Sequence, residues 1–268
     1  MISLSVSLSA CGAPEVSDLG AGASGDAGAD TVNDPTTDTS LSGGAKVGDY
    51  LSSSCTTSVV RQLSIQLITE LDCLKPGAVS EIPASNQIDV GSTFDYLQTK
   101  PAYSLPQVAA ARSGTLQVSS ALRSLAQQYL LYSWYQNGRC GISLAATPGN
   151  SNHERGMAVD VGSSSYWRSA FQNRSWGWQG SSDPMHYNYN GSGTINISGA
   201  SVMAFQRLWN LNNPNDTISE DGAYGPQTAA RVRKSPANGF PIGNSCGAAP
   251  FSGYQSFATD TTPDTCAL

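Results

Sequence analysis

The chain holds only two histidines, and the residues around each could do chemistry. His153 opens the run His-Glu-Arg-Gly-Met-Ala-Val-Asp, which closes on Asp160, and His186 closes Asp183-Pro184-Met185-His186. Two imidazoles and one carboxylate make a three-ligand zinc set with the fourth position open, the coordination of a catalytic site and not a structural one. A metal so held lowers the pKa of its water toward neutrality and polarises a substrate carbonyl. A further carboxylate near the open position is then needed to take the water proton and pass it to a leaving amine. Asp183, just upstream of His186, is placed for that role. No Cys-x-x-Cys pair occurs, which excludes a thiolate zinc knuckle, and no His-x-His pair occurs either.

Around these groups the hydrophobic spacing predicts a helix over 56–74, where Val59, Val60, Leu63, Leu67 and Leu71 share a face and Pro76-Gly77 ends the run. A second helix is predicted over 123–136 and a short one over 166–172. Short strands are predicted over 87–90, 116–119, 157–161 and 185–189, so that His186 and Asp160 sit on strands and His153 on the loop before one. Helices mixed with short strands give an α+β domain over 49–192. After Asn190-Gly191-Ser192-Gly193, helices are predicted over 201–211 and 226–234, the latter begun by Pro226. Residues 197–245 then form a small all-α module, followed by a cysteine-containing tail over 246–268.

Charged residues make up only 13% of the chain, about half the usual share. The net charge of −6 is local: Glu15, Asp18, Asp26, Asp30, Asp34 and Asp38 all precede the first basic residue, Lys46. The remainder carries 14 acidic and 14 basic side chains (20 less 6, against 14). A neutral folded part offers no basic field to a polyphosphate, so nucleic acid is not expected as a partner. Residues 12–48 are mostly Gly, Ala, Ser, Thr and Asp, too poor in large apolar side chains to order themselves, and read as an acidic, disordered linker. Six cysteines point to an oxidising compartment. Cys55 and Cys73 flank the first helix, whose 18-residue span is about 27 Å; they cannot bridge directly, and each needs another partner.

Several segments resemble known families. Residues 1–11 close on Leu8-Ser9-Ala10-Cys11, which resembles a bacterial lipobox, so the resemblance implies a lipoprotein-type signal with Cys11 as the lipidated residue. SNHERGMAVDV (151–161) resembles the Ser-x-His-x-x-Gly-x-Ala-x-Asp signature of the zinc D-Ala-D-Ala carboxypeptidases, the VanY-like, LAS-type metallopeptidases. DPMHYNY (183–189) resembles their second signature, with Met185 where Trp is common. Ser119-Ser120-Ala121-Leu122-Arg123-Ser124, followed by Gln127, resembles their Ser-Gly-Tyr-Arg-Ser…Gln segment, with Leu122 in place of Tyr.

The resemblance implies His153, Asp160 and His186 as zinc ligands and Asp183 as general base and acid. It implies Arg123 as a substrate or oxyanion contact, with Ser151 and Gln127 lining the substrate site. The implied fold is a small antiparallel sheet with helices carrying the zinc site, joined to the all-α module. Phe205-Gln206 with Asp221-Gly222-Ala223-Tyr224-Gly225-Pro226-Gln227-Thr228 resembles a type 1 peptidoglycan-binding domain without its last helix. The implied activity is zinc-dependent hydrolysis of peptidoglycan stem peptides, foremost as a D-alanyl-D-alanine carboxypeptidase. The alternatives are an L-Ala-D-Glu or crossbridge endopeptidase, and a non-catalytic wall-binding lipoprotein. The expected location is the cell envelope, lipid-anchored on the periplasmic or extracytoplasmic face, in contact with peptidoglycan peptides and glycan.

Overall fold

The computed structural model describes residues 44–250; Cys11, most of the acidic linker and Cys266 lie outside it. In chain order the elements are α1 (Tyr50–Ser53), α2 (Arg61–Leu74), β1 (Ser80–Glu81), β2 (Ile88–Asp89), β3 (Tyr96–Leu97), α3 (Thr99–Ala109), β4 (Leu116–Ser120), α4 (Leu125–Gln136), β5 (Ala158–Val161), α5 (Ser164–Gln172), β6 (Trp176–Trp178), β7 (His186–Tyr189), α6 (Ala200–Asn212) and α7 (Pro226–Lys234). The architecture is mixed α+β, as the element pattern predicts.

The five-stranded sheet runs β2-β4-β5-β7-β6. Its pairings are antiparallel except β2 with β4, which is parallel, so the sheet is less uniform than expected. Strand alternation sorts the side chains. Val159 and Val161 of β5 and Tyr187 of β7 enter one apolar layer with Trp167, Phe171 and Trp176, beneath α3 and α5. The residues between them, Asp160, His186 and Asn188, face the other way. On β4 the ladder moves two residues, Val118 to Ser120, while β5 moves one, Val161 to Asp160. That bulge turns Ser120 to the Asp160 side.

A second apolar layer joins α2 and α4 to the C-terminal helices. Leu63, Leu67, Leu130 and Trp134 pack with Val202, Phe205, Leu208 and Val232 in one cluster. Helices α6 and α7 therefore share their core with the N-terminal helices, and α6 lies along α2.

Cys55 pairs with Cys140, and Cys73 with Cys246. The second bridge closes a loop of 173 residues. In the chain-entropy picture such a loop constrains the unfolded state strongly. Replacing Cys73 and Cys246 together by Ser should lower stability by about 2–5 kcal/mol, seen in urea denaturation as a lower midpoint with a steeper slope, because the freed unfolded chain exposes more surface.

Candidate metal centre

Register builds the site. In the β5–β7 ladder Asp160 stands directly opposite His186. Opposed residues of an antiparallel pair share a face, with Cβ atoms about 4.5–5.5 Å apart. A one-residue slip would send His186 into the apolar layer and Tyr187 into the site. His153 arrives from the turn before β5, where Gly156 N–H and Arg123 N–H both donate to its carbonyl, at 3.0 and 3.3 Å. That turn requires glycine: Gly156 has φ +61°, and a Cβ there would lie 2.9 Å from the backbone nitrogen of Gln98.

His153, Asp160 and His186 offer ligand atoms that all lie within 4.8 Å of one another. His153 Nε2 is 3.3 Å from Asp160 Oδ2, and His186 Nδ1 is 2.9 Å from Asp160 Oδ1. The far side of each ring fixes its tautomer. His153 Nδ1 lies 2.8 Å from the Ala121 carbonyl, which can only accept, so Nδ1 carries the proton and Nε2 presents a lone pair. Asn188 Oδ1 accepts from Asn152 Nδ2 at 2.8 Å and from His186 Nε2–H at 2.9 Å, which leaves His186 Nδ1 turned to the site. Asn188 Nδ2 in turn donates to Gln179 Oε1 at 2.9 Å. Carbonyl and amide partners behind metal-ligating imidazoles are the usual means of aiming them. Two ring nitrogens and a carboxylate converging beside Arg123 form a donor set that fits a divalent ion.

The electrostatics pull the two rings in opposite directions. Burial pulls the His153 imidazolium pKa below its ordinary value, with the Arg123 charge acting in the same direction. Burial opposes ionisation of Asp160, but His153, His186 and Arg123 outweigh it and hold its carboxyl well below the usual range. For His186, burial favours the neutral ring, yet the Asp160 hydrogen bond and charge carry the net shift upward. The carboxylate of Asp160 is thus the negative pole of the centre.

The other expected site residues divide. Arg123 Nη2 donates to Asp160 Oδ2 at 2.8 Å and to Ser120 Oγ at 3.0 Å. Asp183 Oδ2 is 3.8 Å from His186 Nδ1, on a loop held through the Pro184 carbonyl, which accepts from Trp178 Nε1 at 2.9 Å and from the Ser164 hydroxyl. Ser151 is buried, and its hydroxyl oxygen accepts from His153 N–H at 3.3 Å. These residues line a cavity of about 330 Å³ whose other wall includes Ile142 and Leu144.

Gln127 is the exception and does not reach the cavity. Its Oε1 accepts from Ser124 N–H at 3.0 Å while its own N–H donates to Ser124 Oγ at 3.2 Å, a capping box that starts α4. Its neighbour Gln128 lines the cavity instead, accepting from Arg123 Nη1 at 3.4 Å. Sequence reasoning also missed Asn188 and Ser120. Asn188 had a usable signal, since a residue two positions after His186 on a strand shares its face.

A mixed α+β domain with a two-histidine, one-carboxylate centre in an open cavity is the frame of a hydrolase. Residues 95–191 match the family model of VanY, D-alanyl-D-alanine carboxypeptidase. The matched stretch contains Arg123, Ser151, His153, Asp160, Asp183 and His186, and it is VanY-like in sequence and in fold. The match supports a peptidase of the kind that acts on peptidoglycan. Helices α6 and α7 lie beyond the match, and no curated protein matches the chain.

Proposed function

We propose that the chain is a zinc peptidase that removes the terminal D-alanine from peptidoglycan stem peptides. The observation that supports this most is the set of aimed lone pairs, His153 Nε2 and His186 Nδ1, converging on the buried Asp160 inside the VanY-like stretch. Two imidazoles with one carboxylate favour zinc over magnesium or calcium, which prefer oxygen ligands. Zinc, when bound, supplies Lewis acidity at the scissile amide. Asp183, facing the same cavity, takes the proton of the attacking water and returns it to the leaving amine. Arg123 holds Asp160 ionised and adds positive charge beside the carbonyl oxygen as negative charge develops there. Ser151 and Gln128 provide the polar wall against which the peptide lies.

Lipid attachment at Cys11, an extracytoplasmic position at the cell envelope and a glycan contact by α6 and α7 belong to the same proposal. Among the described residues no helix is long and apolar enough to cross a membrane.

The deciding experiment is digestion of purified muropeptides with mass readout. Loss of a single D-alanine supports the carboxypeptidase. Internal cleavage replaces it with an L-Ala-D-Glu or crossbridge endopeptidase, and no cleavage by zinc-loaded protein leaves a wall-binding protein.

Arg123→Lys should cut turnover about 10- to 100-fold, the worth of a charge-assisted hydrogen bond of ~1.5–3 kcal/mol. The planar guanidinium reaches Asp160, Ser120 and Gln128 together, which an ammonium cannot reproduce. Zinc affinity, measured by chelator competition, should fall less; equal loss of both would make Arg123 a residue of the metal centre alone.

A further inference from the structure

One buried carboxylate next to the metal centre is used by nothing above. Glu154 is 2% exposed and accepts three hydrogen bonds. Gly149 N–H and Ser151 N–H donate to Oε2 at 2.7 and 3.3 Å, and the Ser201 hydroxyl donates to Oε1 at 2.8 Å. The two amides belong to the loop that carries Asn150 and Ser151 into the cavity wall. The hydroxyl belongs to the first turn of α6. A single side chain therefore ties the cavity loop to the C-terminal helices.

A steric observation points the same way. Gly149 has φ +86°, and a Cβ there would lie 2.7 Å from Val202 Cγ2. The loop backbone is seated on α6 with no room for a side chain between them, and Val202 follows Ser201. Movement of α6 is thus felt at Gly149 by contact and at Ser151 through Glu154. Ser151 passes it on, because its hydroxyl accepts from the backbone N–H of His153.

We propose that Glu154 and Ser201 are positioning residues for the metal centre. The Glu154 carboxylate, anchored on α6, fixes the 149–153 loop and with it the His153 ring and the cavity wall. Helix α6 then supports turnover although it supplies no ligand. A carboxylate suits this task, since its two oxygens accept from both sides at once. Truncating it would leave two backbone amides buried without an acceptor. The inference rests on His153 being a zinc ligand, as read above.

The test uses the full, oxidised chain as Glu154→Ala, Glu154→Gln and Ser201→Ala. It has three readouts: amide hydrogen exchange over 147–157, zinc affinity by chelator competition, and kinetics on a muropeptide. Glu154→Ala should speed exchange at Gly149 and Ser151 and weaken zinc binding about 10- to 100-fold, the usual cost of removing support behind a ligand. Turnover should fall in step. Glu154→Gln should recover most of the loss, because its amide oxygen still accepts from both N–H groups and its NH₂ can donate to the Ser201 oxygen.

Ser201→Ala should raise loop exchange and lower zinc affinity by a smaller factor. Parent-like exchange and zinc affinity in both Glu154→Ala and Ser201→Ala would overturn the proposal. So would Glu154→Gln as impaired as Glu154→Ala, which would assign the role to charge. If Glu154→Ala fails to fold, Ser201→Ala decides, since it removes only a hydroxyl: faster loop exchange supports the clamp and unchanged exchange overturns it. A parent chain that binds no zinc would instead overturn the reading of the metal centre, while the exchange data would still judge the clamp.

Discussion

Asp183→Asn retains zinc and loses turnover about 100- to 10,000-fold, the usual worth of a general acid–base group. The asparagine keeps the size and one carbonyl oxygen of the side chain but can neither accept the water proton nor return it. The metal should stay because Asp183 is outside the ligand cluster, 3.8 Å from His186 Nδ1 on the cavity side, while Asp160 contacts both rings. Its loop should stay too. Trp178 and Ser164 hold that loop through the Pro184 carbonyl, which the substitution does not touch. The check pairs chelator competition with muropeptide kinetics. A variant that keeps more than about a tenth of the parent rate would place the proton transfer elsewhere.

The second large effect is on the metal itself. His153→Ala with His186→Ala leaves Asp160 as the lone ligand, and elemental analysis of untagged protein should find about one zinc per parent chain and essentially none in the double variant. The two rings do not carry equal structural weight. His153 is 2% exposed and bound to the Ala121 carbonyl, whereas His186 is partly exposed beside the cavity. Circular dichroism of the double variant should therefore accompany the metal analysis. Zinc retained undiminished in a folded double variant would remove these residues from the site.

The convergence of His153, Asp160 and His186 was legible because these residues fall in short, local patterns. Asp160 and His186 sit on strands whose alternation can be read directly, and the register that opposes them follows from keeping Val159, Val161 and Tyr187 in the apolar layer. Helix α7 was legible from its first residue, Pro226, to its last, Lys234. Helix α3 was not. It contains Pro106 in its interior, which argues against a helix in isolation, and it persists because Ala102, Leu105, Val108 and Ala109 are fully buried. Strand β6 is only Trp-Gly-Trp, too short for a pattern, and is defined by pairing with β7.

Gln127 was misplaced by one residue for a physical reason. Helix α4 turns about 100° per residue, so Gln127 points back to its own cap while Gln128 points to Arg123. Half of the Glu154 role was local, since Gly149 and Ser151 lie just upstream of it, but its anchor Ser201 is supplied by a helix far along the chain and left no local signal.

The pairing of Cys73 with Cys246 also sets an order of events wherever the chain meets an oxidising compartment N-terminus first. Cys55, Cys73 and Cys140 have all emerged before Cys246 does, so the 55–140 bridge can close while Cys73 must wait as a free thiol. During that interval the thiolates within reach of Cys73 belong to non-native partners, and thiol–disulfide exchange among them competes with the correct bridge. Cys73 lies in the last turn of α2, while Cys55 precedes both the turn over Thr57–Val60 and the helix, so these elements stand between the two thiols along the chain. The shared core of α2 and α6 limits such exchange only after α6 has emerged. Assembly of the two apolar layers is therefore not vectorial: the first long helix is locked in place by nearly the last described residues, and the Glu154 anchor on α6 cannot form before that point.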